Sequence, residues 1–212
     1  MYILHGGGAH RDEWLAYGLI DVASREIRTG NLQPLIIVMP QGDTGYWVDN
    51  ANDGPRWGQY VWRDAVRHVD NTYHTLRSPQ SRAIGGLSMG GFGALSNDTF
   101  LHPNVFGVVG AHSASLRPDD GSLKILGTGA EYEQKDPISL ALTVTGIDRL
   151  QIYIDTGQDA PWLDRDTELH DNLTSRGITH IFQISPGGHE YTYWQSHVLD
   201  YLRFYGNTLA RQ

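Results

Sequence analysis

Short apolar runs alternate along the chain with longer segments whose apolar residues recur at helical spacing, the pattern of a mostly parallel sheet covered by helices. Tyr2-Ile3-Leu4 reads as the end of a buried strand, cut off by His5-Gly6-Gly7-Gly8. Residues 12–29 read as a helix: Trp14, Leu15, Leu19, Ile20, Val22, Ala23 and Ile27 recur at helical spacing, and Gly30 follows as a C-terminal stop. Leu35-Ile36-Ile37-Val38-Met39, between Pro34 and Pro40, reads as a fully buried strand. Further strands are expected at 82–85, 105–111, 151–155 and 180–184, with helices at 59–74, from Ser88 toward Phe100, at 162–176 and at 193–209. Residues 113–145 lack a sheet pattern and read as short helices forming a small cap over the site.

Composition narrows the class. A chain of 212 residues with 40% hydrophobic residues buries one substantial core, and one domain spanning 1–212 is expected. A net charge of −8, with Lys only at positions 124 and 135, leaves no basic stripe for a nucleic-acid backbone. The absence of cysteine removes disulfides, thiolate nucleophiles and Cys-based metal sites from the possibilities. No His-Glu-x-x-His or comparable spacing suggests a metal site, so neither metal nor cofactor is expected. No apolar run approaches the ~20 residues of a membrane-spanning helix, and no leader pattern opens the chain. The expectation is a soluble protein with no membrane partner and its compartment left open between cytoplasm and secretion.

One motif carries chemistry. In Gly86-Leu87-Ser88-Met89-Gly90 a serine sits between an apolar run and a small-residue helix, and a serine on such a tight turn needs tiny residues two before and two after it. Ser88 is therefore the expected nucleophile. A tetrahedral oxyanion needs two N–H donors: Met89, next after the nucleophile, supplies one, and the glycine loop after the first strand supplies the other. Gly7 is the preferred donor there, with Gly6 and Gly8 as alternatives.

The general base follows the nucleophile in chain order, and His189 in Pro186-Gly187-Gly188-His189 sits on a glycine-rich loop just after the last strand. His68, His74, His170 and His197 fall on helices; His112 follows a strand and could line the pocket. For the acid, the loop after the penultimate strand offers Asp155, Asp159 and Asp164. Asp159 is preferred, since Asp155 ends the strand and Asp164 lies in the first turn of a helix, where capping accounts for it. The polar loop 41–58 carries Tyr46, Trp47 and Trp57, read either as core packing or as pocket lining. Trp47, Trp57 and Trp194 are the expected substrate-binding aromatics, with Trp162 and Tyr193 as further members.

With these motifs assembled, the chain resembles the esterase D family of α/β-hydrolases, which includes feruloyl and acetyl-xylan esterases and S-formylglutathione hydrolase. The resemblance spans nearly the whole chain and rests on Leu4-His5-Gly6-Gly7-Gly8, Ile37-Val38-Met39-Pro40, the Ser88 turn through Leu95, Asp155-Thr156-Gly157, and Pro186-Gly187-Gly188-His189 with Trp194. It implies an α/β-hydrolase fold, Ser88 as nucleophile, His189 as base, and oxyanion donors at Gly7 and Met89. It also implies an acid at position 160, where this chain has Ala160. Such proteins carry additional strands before the His-Gly loop, so the chain is expected to be a minimal version or a fragment whose exposed sheet edge invites a homodimer. The expected activity is serine-dependent hydrolysis of short-chain or phenolic, feruloyl-type esters. The alternatives are an acyltransferase of the same fold and a degenerate hydrolase that only binds ligand.

Overall fold

In the computed structural model, residues 1–50 and 54–210 are described. Five strands, β1 (Tyr2–Leu4), β2 (Ala83–Ser88), β3 (Val108–Ala114), β4 (Gln151–Gly157) and β5 (His180–Ser185), form one parallel sheet in the spatial order 1-2-3-4-5. The helical segments are α1 (Glu13–Ala16), α2 (Leu19–Arg28), α3 (Trp57–Gln59), α4 (Val66–Thr72), α5 (Met89–Leu95), α6 (Ala130–Glu133), α7 (Pro137–Thr143), α8 (Leu163–Ser175) and α9 (Tyr191–Thr208). A π-helical stretch, Tyr60–Ala65, joins α3 to α4.

Strands β1 to β4 have apolar side chains on both faces because helices cover both. Tyr2 and Leu4, Ile84, Val109 and Ala111, and Ile152 and Ile154 point into one core with Phe92 of α5 and Leu169 and Leu173 of α8. Their neighbours Ile3, Ala83, Val108 and Tyr153 point into the other, against Trp14, Leu19 and the α9 residues Val198, Tyr201, Leu202 and Tyr205. This period-two division makes an α/β/α sandwich with the carboxyl ends of β2 to β5 along one edge. Within residues 113–145, α7 is started by Pro137 and by Asp136, whose carboxylate accepts the Ser139 N–H at 3.0 Å, and it buries Ile138, Leu140 and Ala141 in the first core.

Two expectations of the pattern change. Residues 35–39 do not form a strand: Val38 alone bridges Tyr2, through Ile3 N–H to Val38 O at 2.9 Å and Val38 N–H to Met1 O at 2.8 Å. Pro34 and Pro40 lack N–H groups, so a ladder there would be interrupted at both ends. The helix read over 12–29 is split at Gly18, which adopts φ +82°, and it ends at Gly30 with φ +79°. No helix among the described residues is long and apolar enough to cross a membrane.

Candidate active site

Ser88 closes β2 and immediately precedes α5, with φ +53° and ψ −117°. A non-glycine residue held in that region costs about 1–3 kcal/mol, and the surroundings dictate it. A Cβ at Gly86 would lie 2.6 Å from the Gly90 carbonyl carbon, and one at Gly90 would lie 2.6 Å from Leu4 O. The turn can therefore form only with glycine at both positions. Ser88 O accepts the Ser115 N–H at 3.0 Å, while the Ser88 side chain stays partly exposed.

The glycine loop is fastened from below. Trp14 Nε1–H donates to Leu4 O at 2.9 Å and Trp47 Nε1–H to His5 O at 3.1 Å. The buried His5 ring bridges outward, with Nδ1 at 2.8 Å from Gly6 O and Nε2 accepting the Gly42 N–H at 3.0 Å. Gly6 N–H donates to Glu13 Oε2 at 2.7 Å, which commits that group. Gly7 is exposed, and a Cβ there would lie 4.0 Å from Met89 Cβ, so its backbone borders the start of α5. Met89 is the first residue of that helix, where an N–H has no acceptor in a preceding turn. Gly7 and Met89 are thus brought together beside the serine.

His189 lies on the loop between β5 and α9. Its Nε2 is 2.8 Å from Ser88 Oγ, and its Nδ1 is 3.0 Å from Ser113 Oγ. The edge of Trp194 stands against the ring at a centroid distance of 4.9 Å and an interplanar angle of 80°. Burial, and then the positive charge of Arg117, lower the imidazole pKa from its usual value to about 4. The ring is therefore neutral at neutral pH, as a proton acceptor from Ser88 must be. The Arg117 guanidinium lies 4.5 Å above the Trp162 ring, and its Nε–H donates to Tyr46 OH at 2.9 Å.

Asp159 is not brought to His189. Its N–H donates to Gly187 O at 2.9 Å, which ties the loop after β4 to the histidine loop, while its exposed carboxylate meets, among the described residues, only Gln158 Nε2, at 3.5 Å. The neighbouring Ala160 faces inward and is buried. Asp164 is exposed in the first turn of α8. Asp155 belongs to a different histidine: its Oδ1 is 2.9 Å from His112 Nδ1, and its Oδ2 accepts from Tyr193 OH at 2.8 Å and Tyr201 OH at 3.0 Å. His112, for which pocket lining was one option, is fully buried, with Nε2 at 2.8 Å from Tyr205 OH.

The aromatic expectations also shift. Trp47 is core: it is 1% exposed, filling the spaces that Gly42 and Gly93 leave open. Trp194 is buried and donates its N–H to His112 O at 3.1 Å, so it backs the His189 ring. Trp57 is half-buried, against Gly45 and edge-on to Tyr60. Tyr193 is buried on Asp155.

The sequence pattern ends this strand at 111 and does not single out Ser113, which the structure places inside β3. Ser113 is fully buried at φ +47°, at a bulge where Leu87 pairs with His112 but Ser88 pairs with Ala114. A serine just past a strand end is the only trace of it in the sequence.

The esterase family profile, described as "Putative esterase", matches residues 1–205. An acetyl esterase of Caldicellulosiruptor saccharolyticus is 22% identical over 222 residues, covering 93% of this chain and 79% of that protein. The esterase Rv1288 of Mycobacterium tuberculosis is 29% identical over 224 residues, covering 89% of the chain, which spans 48% of that protein's length. A solved ferulic acid esterase superposes with a TM-score of 0.86 at 26% identity, covering 99% of this chain and 84% of that one. The chain belongs to the esterase family and is a carboxylesterase of the α/β-hydrolase fold.

Proposed function

We propose that the chain hydrolyses carboxylic esters through an acyl-enzyme on Ser88. Ser88 Oγ attacks the ester carbonyl as its proton passes to His189 Nε2, and the oxyanion is held by the N–H groups of Gly7 and Met89. Collapse breaks the bond to the alcohol oxygen, which leaves with the proton from Nε2. Water then attacks the acyl-Ser88 ester, giving its proton to Nε2, and the second collapse releases the carboxylic acid and returns the proton to Oγ. The observation that carries this reading is the 2.8 Å contact between Ser88 Oγ and His189 Nε2, at a serine whose backbone is held in a strained conformation.

The proposed acyl groups are short or phenolic. The names of the acetyl esterase and the ferulic acid esterase support these two classes, and the half-buried Trp57 and Trp162 offer aromatic surface to a phenolic ring. Initial rates on p-nitrophenyl acetate, butyrate and octanoate, alongside methyl ferulate, test the proposal. Acetate and ferulate esters should be turned over and octanoate poorly. Ser88→Ala should lower kcat by roughly 10⁴-fold or more. Equal rates with Ser88→Ala would overturn the reading.

A further inference from the structure

We propose that Ser113 is the positioning residue of the catalytic base, its hydroxyl occupying the place beside His189 Nδ1 that a carboxylate holds in a Ser-His-Asp site. The inference rests on the Ser88–His189 reading above and concerns what orients that histidine.

Three observations converge on it. Nδ1 lies 3.0 Å from Ser113 Oγ while Nε2 lies 2.8 Å from Ser88 Oγ, so both ring nitrogens face serine hydroxyls. Ser113 reaches that position only because β3 bulges there and the residue takes a positive φ, a conformation a non-glycine residue adopts at a cost. The charged groups around the ring leave Nδ1 without a carboxylate partner among the described residues. Arg117 approaches from the segment after β3; Glu190 accepts the Gly188 N–H at 3.3 Å; Asp159 is turned out. The buried Asp155–His112 pair lies behind Trp194.

A hydroxyl in this place has a definite chemical consequence. A carboxylate only accepts, so it forces the proton onto Nδ1 and leaves Nε2 free to take the Ser88 proton. A hydroxyl both donates and accepts, so it also tolerates the reverse tautomer, in which Nε2 carries the proton and cannot act as base. It also lends the imidazolium no negative charge as the transition state develops. Ser113 therefore holds the ring in register without fixing its tautomer, giving a working but attenuated base.

The inward-facing Ala160 supplies the comparison, since its loop is already tied to the histidine loop through Asp159 N–H and Gly187 O. Four proteins are compared on p-nitrophenyl acetate: wild type, Ser113→Gly, Ala160→Asp, and the double variant. Glycine accepts the positive φ, so Ser113→Gly removes the hydroxyl without backbone strain. It should lower kcat by about 10–100-fold with KM within about twofold. Ala160→Asp should raise kcat by about tenfold or more and move the acid limb of the kcat/KM profile from about pH 4 toward the ordinary histidine range. With Asp at 160, Ser113→Gly should cost less than about threefold. Equal losses in both backgrounds, or an unchanged kcat in Ser113→Gly alone, would overturn the proposal. Should Ser113→Gly fold poorly, Ser113→Ala in the same cycle gives the same decision, with the melting temperature of each variant read alongside. Full activity in Ser88→Ala, by contrast, would strike the underlying catalytic reading rather than the role of Ser113.

Discussion

Asp155 Oδ1 lies 2.9 Å from His112 Nδ1, both side chains are buried, and neither touches Ser88 or His189. This pair is a brace. Tyr193 and Tyr201 donate to the second carboxylate oxygen, His112 stacks on Tyr201 at 3.6 Å, and Trp194 connects the cluster to His189 by donating to His112 O. A buried carboxyl with three side-chain partners is costly to disturb, because removing one partner strands the others.

Asp155→Asn should accordingly lower unfolding free energy by about 2–4 kcal/mol, read as a lower urea midpoint at unchanged m-value. Well below its melting temperature the variant should keep kcat/KM within about tenfold of wild type. A loss of roughly 10⁴-fold without loss of stability would instead make Asp155 the acid of the catalytic centre.

The histidine environment sets the pH response. Burial and then the Arg117 charge disfavour the imidazolium, which is why the His189 pKa falls to about 4. A base must be unprotonated, so activity should persist to about pH 5 and decline through that lowered pKa. Arg117→Met removes one of the two causes, so the acid limb of kcat/KM should move to higher pH. An acid limb that stays in place would mean that Arg117 exerts no field on the base.

Asp98 bears on stability. It is completely buried in the π-helical turn Ser96–Phe100, neither carboxylate oxygen has a hydrogen-bond partner among the described residues, and burial, with the Asp49 charge second, raises its pKa well above the usual value. A folded pKa above the unfolded one means that the native state retains a proton the unfolded chain releases. The contribution of Asp98 to stability is thus complete below about pH 4 and is lost as pH rises toward its folded pKa. Asp98→Asn should flatten this slope and stabilise the protein at about pH 8, measured by urea unfolding across pH. An unchanged slope would show that the carboxyl ionises freely in the native state.

The sheet and the tight turn at Ser88 were legible because each follows largely from local rules. Ile3 and Leu4 or Ala83 and Ile84 face opposite cores simply because strand side chains alternate, and Gly86 is demanded by the nearby Gly90 backbone, although Gly90 itself is demanded by the Leu4 carbonyl of the neighbouring strand. The acid position was not legible, because Asp159 and Ala160 are adjacent and only a loop conformation decides which one faces inward. Trp47 is hidden for a related reason: it sits in a polar loop but fills spaces at Gly42 and Gly93, the latter 46 residues away in the chain. Ser113 depends on a bulge, and a bulge with positive φ at a serine leaves no composition signal.

The account stands most directly on Ser88 as an activated nucleophile. Folded protein treated with a fluorophosphonate probe and analysed by intact mass and peptide mapping should gain one adduct, on Ser88, at a rate that falls as His189 is protonated at low pH. No labelling of the folded protein, or an adduct on any other serine, Ser113 included, would contradict it.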